Sequence, residues 1–95
     1  MGSEGKTQAK LIKYLKSKGC YVIKTSPGVG TPVGCPDVIA LYEGLWIAIE
    51  VKSSAKAPYK PLQKETLAKL AEWSFTYVIY PENYDEIIRE LDAIL

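Results

Sequence analysis

Three ionisable residues stand at the ends of two apolar runs in the segment TPVGCPDVIALYEGLWIAIEVKSS, residues 31–54. Asp37 enters the run VIALY, Glu50 and Lys52 leave the run LWIAI, and the pair Glu43-Gly44 separates the two. Strands over 36–42 and 45–52, turning at Glu43-Gly44, bring the start of the first beside the end of the second. Side chains alternate along a strand, so Trp46, Ala48, Glu50 and Lys52 share one face while Ile47, Ile49 and Val51 take the other. Asp37 then lies near Glu50 to Lys52. Two carboxylates at adjacent strand ends are hard oxygen ligands of the kind Mg²⁺ takes while keeping its waters. A lysine on their face can position an attacking water or neutralise charge on a phosphoryl oxygen. The competing reading makes Lys52 the structural counter-ion of Glu50.

Composition narrows the chemistry further. The chain has no histidine, which removes Ser-His-Asp and Cys-His hydrolases, zinc fingers and histidine general bases. Cys20 and Cys35 stand outside any C-x-x-C pattern and read as reduced, small apolar residues rather than zinc ligands. Gly28, Gly30 and Gly34 miss the G-x-G-x-x-G spacing, because position 33 is Val, and their loop leads into a strand rather than a helix N-terminus. A nucleotide fold is therefore excluded, and these glycines are expected to let the chain pass close to something near Asp37. Any chemistry must come from carboxylates, lysines, hydroxyls or a metal held by oxygen.

A net charge of +1 hides an uneven distribution. Lysines 6, 10, 13, 16, 18 and 24 face only Glu4 in the first segment, and lysines 52, 56, 60, 64 and 69 face only Glu65 in a second. Glu82, Asp85, Glu86, Glu90 and Asp92 make the C-terminal stretch acidic. Either basic segment alone reads as the wet face of a helix. Both flanking the hairpin ends suggest a positive side that attracts phosphates. No Arg or Asn cluster suits major-groove edges, so binding is expected to depend on salt and little on base sequence.

The elements that must position these groups follow from periodicity. Residues 4–18 put Leu11, Ile12 and Leu15 on one face of a helix stopped by Gly19. CYVIK is a short strand, 26–35 a loop, and the hairpin follows. Residues 61–73 form a helix with Pro61 at or near its first turn and Leu62, Leu67, Leu70 and Ala71 as its apolar set. FTYVIY is a last strand, and residues 84–94 are an amphipathic helix. The order αβββαβα implies an α/β fold, one sheet covered by helices, in a single domain of residues 1–95. The hydrophobic fraction of 47% suits a globular chain, and no apolar run approaches the roughly 20 residues that span a bilayer. With no signal-peptide core either, a cytoplasmic location is expected, host cytoplasm if the source is viral.

Gly34-Cys35-Pro36-Asp37, Glu50-Val51-Lys52 and Gln63 in the following helix together resemble the PD-(D/E)xK nuclease superfamily and, within it, the VRR-NUC (virus-type replication-repair nuclease) family. Glu4 stands at the head of the first helix, where that family also has an acidic residue. The resemblance covers nearly the whole chain and implies a restriction-endonuclease-like αβββαβ core, a mixed sheet flanked by helices. It implies that Asp37 and Glu50 ligate Mg²⁺ or Mn²⁺ with the Val51 carbonyl as a third ligand. Lys52 would orient or activate the attacking water. Gln63 would hold Lys52 or the phosphate, and Glu4 would reach the metal directly or through water. Without the resemblance, Glu4 is explained by the helix macrodipole and Gln63 as a solvated helical glutamine.

The function implied is a metal-dependent endonuclease selective for branched or junction DNA. A non-catalytic nucleic-acid-binding module retaining the fold is the alternative, and a protein-interaction domain with incidental strand-end charges a third. Paired cuts across a junction call for two sites related by a two-fold axis, hence a homodimer. Tyr14, Tyr21, Tyr42, Trp46, Trp73, Tyr77, Tyr80 and Tyr84 supply aromatic surface for such an interface, unless they merely cover a small core.

Overall fold

The computed structural model describes residues 3–95. A helix over Ser3–Ser17 (α1) leads to a strand, Tyr21–Lys24 (β1), and then to the hairpin strands Val38–Tyr42 (β2) and Leu45–Val51 (β3). A helix over Gln63–Leu70 (α2), a strand over Phe75–Ile79 (β4), a 3₁₀ turn at Pro81–Asn83 and a helix over Tyr84–Ile94 (α3) complete the chain. The strands form one mixed sheet in the order β1-β2-β3-β4, antiparallel throughout except for the parallel β3–β4 pair.

Local chemistry accounts for the hairpin. Glu43 and Gly44 both adopt positive φ, 44° and 88°, as a two-residue type I′ turn requires. Tyr42 consequently pairs with Leu45 and Val38 with Ile49. α1 ends as its glycine predicts. The Gly19 N–H donates to the Lys16 carbonyl at 3.0 Å and the Cys20 N–H to the Leu15 carbonyl at 3.1 Å, with Gly19 at φ +90°. That pair of bonds is a Schellman motif, which only a residue tolerant of left-handed backbone closes cheaply.

β3 is an interior strand, flanked by β2 and β4, and its two faces differ in kind. Ile47, Ile49 and Val51 are buried in the main core with Val38 and Ala40 of β2, Leu11 and Leu15 of α1, and Ile87 and Leu91 of α3. The opposite face carries Ala48, Glu50 and Lys52, also buried. A strand flanked on both edges and covered on both faces is the usual consequence of a parallel crossover such as β3–α2–β4. The ends of α1 and α3 are tied by Lys18 to Asp92 at 3.2 Å and by a hydrogen bond from the Tyr14 hydroxyl to Asp92. No helix among the described residues is long and apolar enough to cross a membrane.

α2 departs from the sequence reading. It begins at Gln63, because Leu62 takes a left-handed backbone (φ 63°) and so sits outside the helix, as does Pro61. Leu62 is exposed and so is Ala71, which leaves Leu67 buried and Leu70 half-buried as the apolar set. Four aromatic residues also move inward: Tyr84 is buried, and Tyr14, Tyr42 and Tyr77 pack against the core.

Candidate active site

β1 and β2 set the position of Asp37. The Thr25 N–H donates to the Asp37 carbonyl at 2.9 Å, and the Thr25 hydroxyl donates to the Pro36 carbonyl at 2.6 Å. The hairpin register, continued one step beyond Val38–Ile49, sets Asp37 opposite Glu50. The Asp37 carboxylate then accepts a hydrogen bond from the Val51 N–H at 2.9 Å. In extended backbone the N–H and C=O of one residue face the same edge, so the Val51 carbonyl opens on the Asp37 side. The Lys52 N–H points to the other edge, donating to the Ile79 carbonyl at 2.9 Å.

Glu50 is the group out of keeping with an ordinary fold. It is 2% exposed, and among the described residues its buried Oε1 has no hydrogen-bond partner. Burial, and then the nearby Asp37 carboxylate, push its carboxyl up from 4.5 to about 8, against weaker downward pulls from Lys60 and the Gln63 amide. A buried unsatisfied carboxylate oxygen costs free energy that some partner must offset.

Lys52 does not supply that partner. Its side chain is buried, but among the described residues no ion pair joins it to Glu50 or Asp37. Its ammonium lies instead over the Tyr59 ring, 4.2 Å from the centroid. The counter-ion reading of Lys52 is thereby set aside. Gln63 is not a solvated glutamine either: it is 2% exposed, and its Oε1 accepts the Lys60 N–H at 3.2 Å. The first residue of α2 thus ties the preceding loop to the carboxylate pair.

Glu4 stands half-buried in the first turn of α1. Among the described residues no three His, Cys, Asp or Glu side chains gather into a group able to hold a metal, so Glu4 is not drawn into a cluster with Asp37 and Glu50. The two carboxylates nevertheless fit a hard divalent cation, which needs only one or two and keeps water in its other positions. The orphaned Glu50 Oε1 is the observation that favours such an ion.

Beside these groups opens a cleft of about 420 Å³, lined by Thr25, Cys35, Asp37, Lys60 and Gln63 among others. Burial raises the Cys35 thiol, with Asp37 and Glu50 adding to the effect, so it is no thiolate nucleophile. Gly34 shapes the cleft's floor. It has φ +85°, and a Cβ there would lie 2.8 Å from both the Leu62 carbonyl oxygen and the Thr66 hydroxyl. Gly28 and Gly30 meet nothing, so the close approach expected of the glycines belongs to Gly34 alone and is made to the start of α2. Gly34→Ala should cost about 1–3 kcal/mol through the backbone conformation alone, with the contact adding to it. Urea unfolding of the variant beside Gly28→Ala, which shares a positive φ (+133°) but meets no neighbour, isolates the share due to the contact.

Sequence reasoning missed Thr25, Tyr59 and Lys60. Lys60 had a signal, its place in the second basic segment. Thr25 and Tyr59 had none, since only strand pairing and loop packing bring them to the site.

The family model for the archaeal Holliday junction resolvase (Hjc) matches residues 3–78, which include every residue of this cluster. The chain belongs to the Hjc family. A solved structure described as a VRR_NUC domain superposes with a TM-score of 0.77, covering 94% of this chain and 97% of that one. At 23% identity that likeness speaks for the fold, which is the mixed sheet with flanking helices expected from the sequence. No curated protein matches the chain closely enough to extend the comparison. The Hjc family and the VRR_NUC fold meet in the PD-(D/E)xK superfamily, whose nucleases generally use divalent metals.

Proposed function

We propose that this Hjc-family chain is a metal-dependent endonuclease that cuts branched or junction DNA by hydrolysing phosphodiester bonds. One observation carries the reading: among the described residues a buried carboxylate oxygen, Glu50 Oε1, has no partner beside a second carboxylate and a lysine without an ion pair. A module that only bound nucleic acid would gain nothing from that arrangement and would carry its cost.

Asp37 and Glu50 would hold Mg²⁺ or Mn²⁺, with the Val51 carbonyl facing the same side. The ion, when bound, polarises the phosphoryl oxygens and makes water a stronger nucleophile at neutral pH. Lys52 orients the attacking water or stabilises charge on the phosphate as it develops. Gln63 fixes the Glu50 carboxyl from α2, and Glu4 reaches the metal site from α1 through water. DNA phosphates are held on two sides. Lys13, Lys16 and Lys24 line an open hollow between α1 and β1, and Lys60 lines the cleft. Lys10, Lys18 and Lys64 are otherwise engaged, because Lys10 lies over Tyr84, Lys18 pairs with Asp92 and Lys64 lies over Tyr59.

Purified protein should cut a four-way junction in Mg²⁺ or Mn²⁺, leave linear duplex of the same sequence largely intact, and cut neither substrate in EDTA. Failure to cut any branched DNA in either metal, with junction binding retained, would favour the non-catalytic alternative.

The same reading includes a homodimer, since one site cuts one strand. Trp46 and Trp73 remain 55% and 70% exposed and line an apolar groove of about 340 Å³ with Ile39, Ala48 and Leu70. Exposed tryptophans in such a setting are typical of interface centres. Light scattering at micromolar concentration should give twice the 10.5 kDa chain mass, and Trp73→Ala should shift it toward the monomer. A monomer in both, with and without junction DNA, would remove the paired-cut mechanism.

A further inference from the structure

Tyr59 lies half-buried in the segment between β3 and α2. The Lys52 ammonium sits 4.2 Å from the centroid of that ring, and the Lys64 ammonium 5.5 Å from the same centroid. Lys52 is only 7% exposed, so its charge is neither well hydrated nor ion-paired among the described residues. Burying an ammonium in that way is unfavourable unless something offsets it. The negative face of the Tyr59 ring is the compensation present. Glu50 Oε1, meanwhile, stays buried and unpartnered on the same face of β3. The two oddities have one cause if the ring competes with the carboxylate for the ammonium.

We propose that Tyr59 is a positioning residue whose ring face holds the Lys52 ammonium off Asp37 and Glu50, leaving Glu50 Oε1 free for a divalent cation. Without the ring, the ammonium closes onto Glu50 and occupies that oxygen. The consequence for rate rests on the nuclease reading above; the consequence for the position of Lys52 does not.

Three measurements separate them. In proton NMR, the Lys52 ε-methylene should be shifted upfield by the ring in the wild type and in Tyr59→Phe, and should return to an ordinary position in Tyr59→Leu. Junction cleavage should then be followed with Tyr59 replaced by phenylalanine carrying none, one or three ring fluorines. These analogues keep the shape of the ring while weakening its attraction for a cation. The value of kcat should fall stepwise with fluorination, by roughly 2- to 30-fold at the end of the series, with KM for DNA unchanged. Mn²⁺ affinity, measured by calorimetry without DNA, should weaken in Tyr59→Leu and not in Tyr59→Phe.

An unshifted Lys52 methylene in the wild type would overturn the proposal, and so would a kcat indifferent to fluorination in protein that cuts. If no variant cuts and the wild type does not either, the nuclease reading has failed; the methylene shift and the Mn²⁺ affinities still decide the role of Tyr59.

Discussion

Lys52→Ala should lower the rate of junction cleavage by roughly 10²–10⁴-fold, the range lost when a positioned proton-transfer or charge-stabilising group is removed. The variant should remain folded. Lys52 leaves the end of β3 on the face away from Ile47, Ile49 and Val51, and the contact it gives up is with Tyr59 rather than with the main core. Divalent-cation binding should persist, because the two carboxylates are untouched and lose a nearby positive charge that opposes the ion. Single-turnover cleavage at saturating protein, beside Mn²⁺ calorimetry, separates these effects. Wild-type cleavage by Lys52→Ala would remove the lysine from the mechanism.

Glu50→Gln should do two opposite things, abolishing cleavage and raising stability. The folded-state value of about 8 lies above the ordinary 4.5, so the folded protein holds a proton that the unfolded chain releases between those two values. Stability from this group is therefore fully present below about pH 4.5 and is lost as pH rises through about 8. Each pH unit inside that window corresponds to at most about 1.4 kcal/mol. Glutamine keeps the shape and carries no charge, so the slope should vanish. In EDTA at pH 8.5 the variant should exceed the wild type by at least about 1 kcal/mol, a melting shift of roughly 4–8 °C for a chain this small. At pH 5 the two should nearly coincide. Parallel unfolding curves at both pH values would mean that Glu50 is not held in the environment described.

The hairpin could be read from sequence because its signals are local. Glu43-Gly44 supplies the backbone that a type I′ turn needs, and strand alternation then fixes which residues share a face with Glu50. Asp37, Glu50 and Lys52 could be brought together from those two facts alone. What could not be read is what covers that face. α2 passes over it on the parallel crossover from β3 to β4, and nothing in the period-two pattern around Glu50 says that its carboxyl ends up dry. The start of α2 was misplaced for a related reason. Pro61 is a good opening residue for a helix, but Leu62 takes a left-handed backbone where Gly34 passes against it, a tertiary contact without a sequence signature. Tyr59 was invisible in the same way, since neither helical nor strand spacing relates it to Lys52. The aromatic residues were overcounted as surface because a small core recruits tyrosine readily, with the ring inside and the hydroxyl toward a partner such as Asp92.

On the function proposed here, the carboxylates of Asp37 and Glu50 form a site for phosphodiester cleavage, not merely a fold that carries charges at its strand ends. The most direct test is a single-turnover comparison of wild type and Glu50→Gln on one labelled four-way junction, in Mn²⁺, with binding measured in the same samples. The two proteins should bind the junction alike, because Glu50 is buried and touches no DNA, and only the wild type should cut it. Equal cleavage by both would contradict the account.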